Sequence, residues 1–107
     1  MLPRSAYEAI VSTVADYERM KKALDTAELS KEQYLAMTKR VNAIENAICA
    51  VCAGEPHAAG QALIRDIANH RGFDRSESKK YYTAKSTFDR RKNDAIRTIG
   101  KMLGIVV

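Results

Sequence analysis

Tryptophan is absent from the 107-residue chain, and glycine (five), cysteine (two) and proline (two) are scarce. So few glycines and prolines exclude a loop-rich or collagen-like chain, and a 46% hydrophobic composition is too apolar for a disordered one. Two cysteines three apart, Cys49 and Cys52, make no disulfide framework. No apolar run approaches the ~20 residues that span a bilayer. The opening MLPRSAYEAI lacks the apolar stretch of a secretory signal, which leads to the expectation of a cytoplasmic protein. A glycine-rich phosphate loop and a nucleophile–base pairing are both missing, so neither catalysis nor a cofactor is expected. Although His57 and His70 follow the CxxC pair, their irregular spacing makes a weak zinc signature, and small core residues account for both cysteines more simply.

What is present is helical periodicity. Tyr7, Ile10, Val14, Tyr17 and Leu24 fall three or four apart across residues 4–26, interrupted by Lys21. Ser30, with Gln33 three residues on, reads as a capping box that opens a second helix. Its seam is Tyr34, Met37, Val41, Ile44, Ile48 and Val51, and Gly54, Glu55 and Pro56 end it. A short link makes these two helices an antiparallel hairpin. Further on, Leu63, Ile64, Ile67 and Ala68 share one face of residues 58–71, with Gly72 as the stop. Asp74 and Glu77 are spaced as another capping box, before a brief helix over RSESKKYY. Ser86 is the expected cap of a last helix whose inner stripe is Phe88, Ala95, Ile96, Ile99 and Leu103, with Gly104 beyond it. With no alternating strand pattern, the fold expected is all-α. It divides into a helical hairpin over residues 1–54 and a three-helix unit over residues 57–107. Three acids, Glu45, Glu55 and Asp66, belong to no motif and read as solvated, and His70 reads as a stabiliser of a helix end.

The net charge of +5 is unevenly distributed. Through residue 70 there are eight basic residues against nine acids, and beyond it ten against four, so the excess lies in the last third. There the basic residues coincide with a helix, a tight turn and another helix. In a helix-turn-helix, the second helix of such a pair enters the DNA major groove. With Phe88 turned inward, helical stepping puts Ser86, Arg90, Asn93, Asp94, Arg97 and Lys101 outward, flanked by Thr87 and Arg91. Arginine pairs with guanine and asparagine with adenine, so Thr87, Arg90, Arg91 and Asn93 are the candidate base readers. Lys79, Lys80, Lys85, Ser86, Lys92 and Arg97 are the candidate phosphate contacts. Of Tyr81 and Tyr82, one is expected in the core and the other near a phosphate.

Residues 73–105 carry Lys80-Tyr81-Tyr82, Ser86-Thr87-Phe88, Arg90-Arg91-Lys92, Ala95-Ile96, Ile99 and Leu103-Gly104-Ile105. In this third of the chain the sequence resembles the C-terminal part of the ArpU/RinA-type phage transcription regulators, themselves similar to region four of sigma factors. That resemblance implies a sequence-specific binder of double-stranded promoter DNA in a bacterial host cell, with RNA polymerase as a further partner. A homodimer through residues 5–53 would suit a palindromic site. Two other readings fit a basic helical protein: an adaptor whose basic face meets an acidic partner, and a DNA-recognition protein of the small-terminase kind used in packaging.

Overall fold

Helices supply all the regular structure among residues 2–106, which the computed structural model describes. In chain order they are α1 (Arg4–Ala15), α2 (Tyr17–Thr26), α3 (Lys31–Val51), α4 (His57–Ala68) and α5 (Lys85–Met102). Two 3-10 turns, Phe73–Arg75 and Ser78–Lys80, stand between α4 and α5. The all-α class expected from the sequence is the class observed. One buried cluster runs through the molecule and draws on both sides of the Gly54–Pro56 link, with Ile10, Val14, Ile44, Leu63, Ile67, Phe88, Ile96 and Ile99 all at or near zero exposure. Burying each such side chain stabilises the fold by about 1.5–3 kcal/mol.

The stretch over residues 4–26 is two helices, which corrects the single one expected. The break falls at Asp16, whose N–H bonds to the Thr13 carbonyl at 3.1 Å in a tightened turn. Thr13 also bonds back to the Ala9 carbonyl at 2.9 Å, a side-chain bond that loosens and bends a helix. The break lets the two halves bury in different directions. Ile10, Val11 and Val14 face α4 and α5, whereas Tyr17 and Met20 face α3, so only α2 forms the antiparallel pair with α3. Lys21, which interrupts the apolar seam, reaches Glu45 on α3 at 3.0 Å, and Tyr17 donates its hydroxyl to the same carboxylate oxygen at 2.6 Å. Burial pushes the Glu45 carboxyl upward, but the Tyr17 and Lys21 bonds outweigh it and leave the group below its usual range.

The capping box at Ser30 and Gln33 forms as expected, at 3.1 Å and 3.0 Å for its two bonds. Two other caps do not. Asp74 and Glu77 form no capping box, and the brief α-helix expected over RSESKKYY is the pair of 3-10 turns. The unit over residues 57–107 thus holds two α-helices rather than three. Glu77 is drawn away by Arg65 at 2.9 Å and Arg71 at 2.7 Å. The last helix starts at Lys85 with Ala84 at its cap position, which leaves Ser86 inside the first turn. At the end of α4 the left-handed residue is His70 (φ 55°), not Gly72. The His70 N–H bonds to the Ile67 carbonyl and the Arg71 N–H to the Asp66 carbonyl, a Schellman closure. Gly104 (φ 76°) closes α5 with the same pair of bonds, to Lys101 and Gly100.

Candidate nucleic-acid interface

The outer face of α5 is built by its inner one. Phe88, Ala95, Ile96, Ile99 and Gly100 are buried against α3 and α1, and this fixes the rotation of the helix about its axis. Ser86, Arg90, Asn93, Asp94, Arg97 and Lys101 are all exposed, as helical stepping from Phe88 requires. Arg90, Arg97 and Lys101 have no acidic partner among the described residues. Thr87 is half-buried at the edge of this face.

Other candidate residues are committed elsewhere. Arg91 turns toward Glu55 in the α3–α4 link, at 3.2 Å, and this bond holds its guanidinium pKa above the usual value. Lys92 donates to the Arg71 carbonyl at 3.0 Å and lies 5.9 Å from the centre of the Phe88 ring. Lys85 pairs with Asp89 one turn on, at 2.6 Å. Lys79 sits 5.7 Å from the centre of the Phe73 ring, while Lys80 is exposed and without an acidic partner among the described residues. Of the tyrosine pair, Tyr82 is the one in the core, and Tyr81 is 37% exposed.

The turn segment that presents α5 rests on two of the three acids that read as solvated. Asp66 is fully buried. Its carboxylate accepts from the Glu77 and Ser78 backbone N–H groups, each at 2.9 Å, from the Ser78 hydroxyl at 2.5 Å and from Arg71 at 3.4 Å. Glu55 takes the Tyr82 hydroxyl at 2.7 Å on one oxygen and Arg91 on the other, so one carboxylate fastens both the turn and α5. Burial, with the Glu55 bond behind it, pushes the Tyr82 hydroxyl far above its ordinary pKa. Glu45 is the third, tying α2 to α3. Spacing alone gave no sign of these roles, because every partner except Arg71 lies eleven or more residues away.

Of the two cysteines, Cys49 is exposed and Cys52 buried, with its sulfur 3.7 Å from the Tyr82 hydroxyl. Burial raises the Cys52 thiol pKa. No group of three or more metal-ligating side chains gathers among the described residues, and no helix there is long and apolar enough to cross a membrane. No protein-family model, curated protein or solved structure matches the chain.

Proposed function

We propose that this protein binds double-stranded DNA with the outer face of α5 in the major groove, as a transcription regulator of phage or prophage type. The observation that carries the reading is the exposed stripe of Arg90, Asn93, Arg97 and Lys101, whose three cations have no acidic partner among the described residues. Elsewhere on α5, Lys85 and Arg91 are neutralised by neighbouring acids. A stripe that leaves its cations unneutralised, on a helix locked by its buried side, is what a phosphate-lined groove requires. The resemblance of residues 73–105 to the ArpU/RinA-type regulators points the same way.

On this reading Arg90 and Asn93, with Thr87 at the edge, face the bases, and Asp94 offers the acceptor that a cytosine amino group needs. Lys79, Lys80, Ser86 and Arg97 hold phosphates. Lys85, Arg91 and Lys92 join only by leaving the partners described above. A second copy, docked through the hairpin where Tyr34 is 50% and Leu35 56% exposed, would present two such helices to a palindrome. RNA polymerase is the further partner implied.

Selection from random duplex oligonucleotides, followed by titration of the recovered site, tests the proposal. Arg90→Ala should cost about 1–3 kcal/mol and relax preference at one base pair, whereas Lys80→Ala should weaken all sequences alike. Failure to recover any motif, together with an unchanged affinity in Arg90→Ala, would sink it.

A further inference from the structure

A cleft of about 560 Å³ lies beside the outer face of α5, lined by Leu2, Arg4, Tyr7, Asn93, Ile96 and Arg97. Its far wall is the start of α1, a segment that the charge pattern of the last third left out. The two walls are held close because Gly100 has no side chain: a Cβ there would come within 2.6 Å of Ile10 Cδ1 on α1. Leu2 and Tyr7 give the lining its apolar part, with the buried Ile96 behind them, and two guanidiniums and an amide give it its polar part. Arg97 has no acidic partner among the described residues. Among the described residues Arg4 pairs only with Glu8, at 2.9 Å, with side chains 92% and 63% exposed, a pair that water and salt weaken readily.

We infer that this cleft takes one sugar–phosphate strand of DNA, with α1 as the second wall of the interface. The inference rests on the DNA reading above and adds Arg4 and Tyr7 to it. A major groove about 12 Å wide is bounded by two backbones, so a helix lying in it is flanked by a strand on each side. The α1 side of α5 is one flank, and Asn93 and Arg97 belong both to the outer stripe and to the cleft. There a phosphodiester meets a guanidinium from each wall, and the apolar faces of the deoxyriboses lie on Tyr7, which is 37% exposed. Arginine suits this role because its planar fork pairs with phosphate oxygens two at a time.

Fluorescence anisotropy with a labelled mixed-sequence duplex, followed over a tenfold range of salt, tests it on the full chain. Four variants are compared with the parent: Arg4→Gln, Tyr7→Ala, Arg90→Gln and Lys31→Gln, the last a charge control on α3. Arg4→Gln should reduce the slope of log affinity against log salt by about 0.9 and weaken binding several-fold at low salt. Tyr7→Ala should weaken binding with the slope unchanged, and Lys31→Gln should match the parent. Since the Arg4 side chain is almost wholly in water, its replacement leaves the fold intact, which circular dichroism checks. If Arg4→Gln and Tyr7→Ala bind like the parent while Arg90→Gln loses slope, α1 is outside the interface and the DNA reading stands alone. If the parent binds no duplex, or Arg90→Gln changes nothing, both fall. Loss of binding to poly-glutamate but not to duplex in Arg4→Gln also overturns the inference, since the cleft would then serve an acidic protein.

Discussion

Two neighbouring stretches of this chain are ordered by different means. From Ser30 to Ala68, α3 and α4 are held by apolar stripes, with Ile44, Ala47, Leu63 and Ile67 at 0 to 1% exposure. Between Asn69 and Ala84 there is no α-helix, and only Ser78 and Tyr82 are buried. Here the backbone is gathered around one carboxylate, Asp66, and strapped by Glu77 to two arginines. Hydrophobic burial is non-directional, so a stripe tolerates slight shifts, but a buried carboxylate demands donors at fixed positions. The stretch held by polar bonds is the one that sets where α5 begins. The core therefore supplies the rotation of α5, and the polar knot aims its N-terminal end.

The hardest test of this contrast is Asp66→Ala. It orphans two backbone N–H groups and a hydroxyl and removes the more distant of the two acidic partners of Arg71, so it should cost about 3–5 kcal/mol in urea unfolding. Hydrogen exchange should rise first in residues 70–84. Uniform exchange across all five helices would instead mean that the knot has no local role. Next comes the packing of α4 on α3, where a Cβ on Gly60 would stand 2.6 Å from Ile48 Cγ2, an atom fixed to the β-carbon of its own helix. Gly60→Ala should therefore destabilise by about 1–2 kcal/mol, despite the gain of up to ~1 kcal/mol in helix propensity. Ile48→Leu, which moves the branch outward, should recover part of that loss in a double-mutant cycle.

A pH series separates the two polar ties more gently. Bonds from Arg65 and Arg71 hold the Glu77 carboxyl below its usual range. A depressed carboxyl contributes stability that is present above its ordinary pKa of about 4.3 and is lost as pH falls through the folded value. Tyr82 is shifted the other way, so its contribution is complete below pH ~10 and is lost as pH rises beyond it. Melting temperature against pH should accordingly show an acid edge that Glu77→Gln flattens and an alkaline edge that Tyr82→Phe reduces. Tyr17, raised by burial and by Glu45, keeps the remainder of the alkaline edge. An alkaline edge unchanged in Tyr82→Phe would count against the Glu55 tie. The smallest effect expected is a gain. His70 occupies a left-handed position that disfavours any side chain, so His70→Gly should stabilise by about 0.5–1 kcal/mol in thermal melts.

The same sequence signal worked in one of these regions and failed in the other. Ser30-x-x-Gln33 formed its capping box because nothing nearby competes for either side chain. Asp74-x-x-Glu77 has equivalent spacing, but Arg65 and Arg71 offer Glu77 charged partners, and Asp66 takes the Glu77 N–H as well. A charged bond outweighs a neutral cap. The outer face of α5 was legible, since one buried residue and the helical period fix every other direction on that helix. That Arg91 and Lys92 would be occupied was not legible, because Glu55 lies 36 residues before Arg91 and the Arg71 carbonyl 21 before Lys92.

By itself, then, the sequence determined the helical class, most of the buried stripes, the cap at Ser30 and the concentration of positive charge in the last third. These follow from periods of three and four residues and from composition, which are local properties. Only the tertiary structure decided that α1 and α2 part at Asp16, that three seemingly idle acids fasten the elements together, and which cations of α5 remain open to a ligand. Each depends on groups brought together from distant parts of the chain, and no local pattern encodes which partner a buried carboxylate will meet.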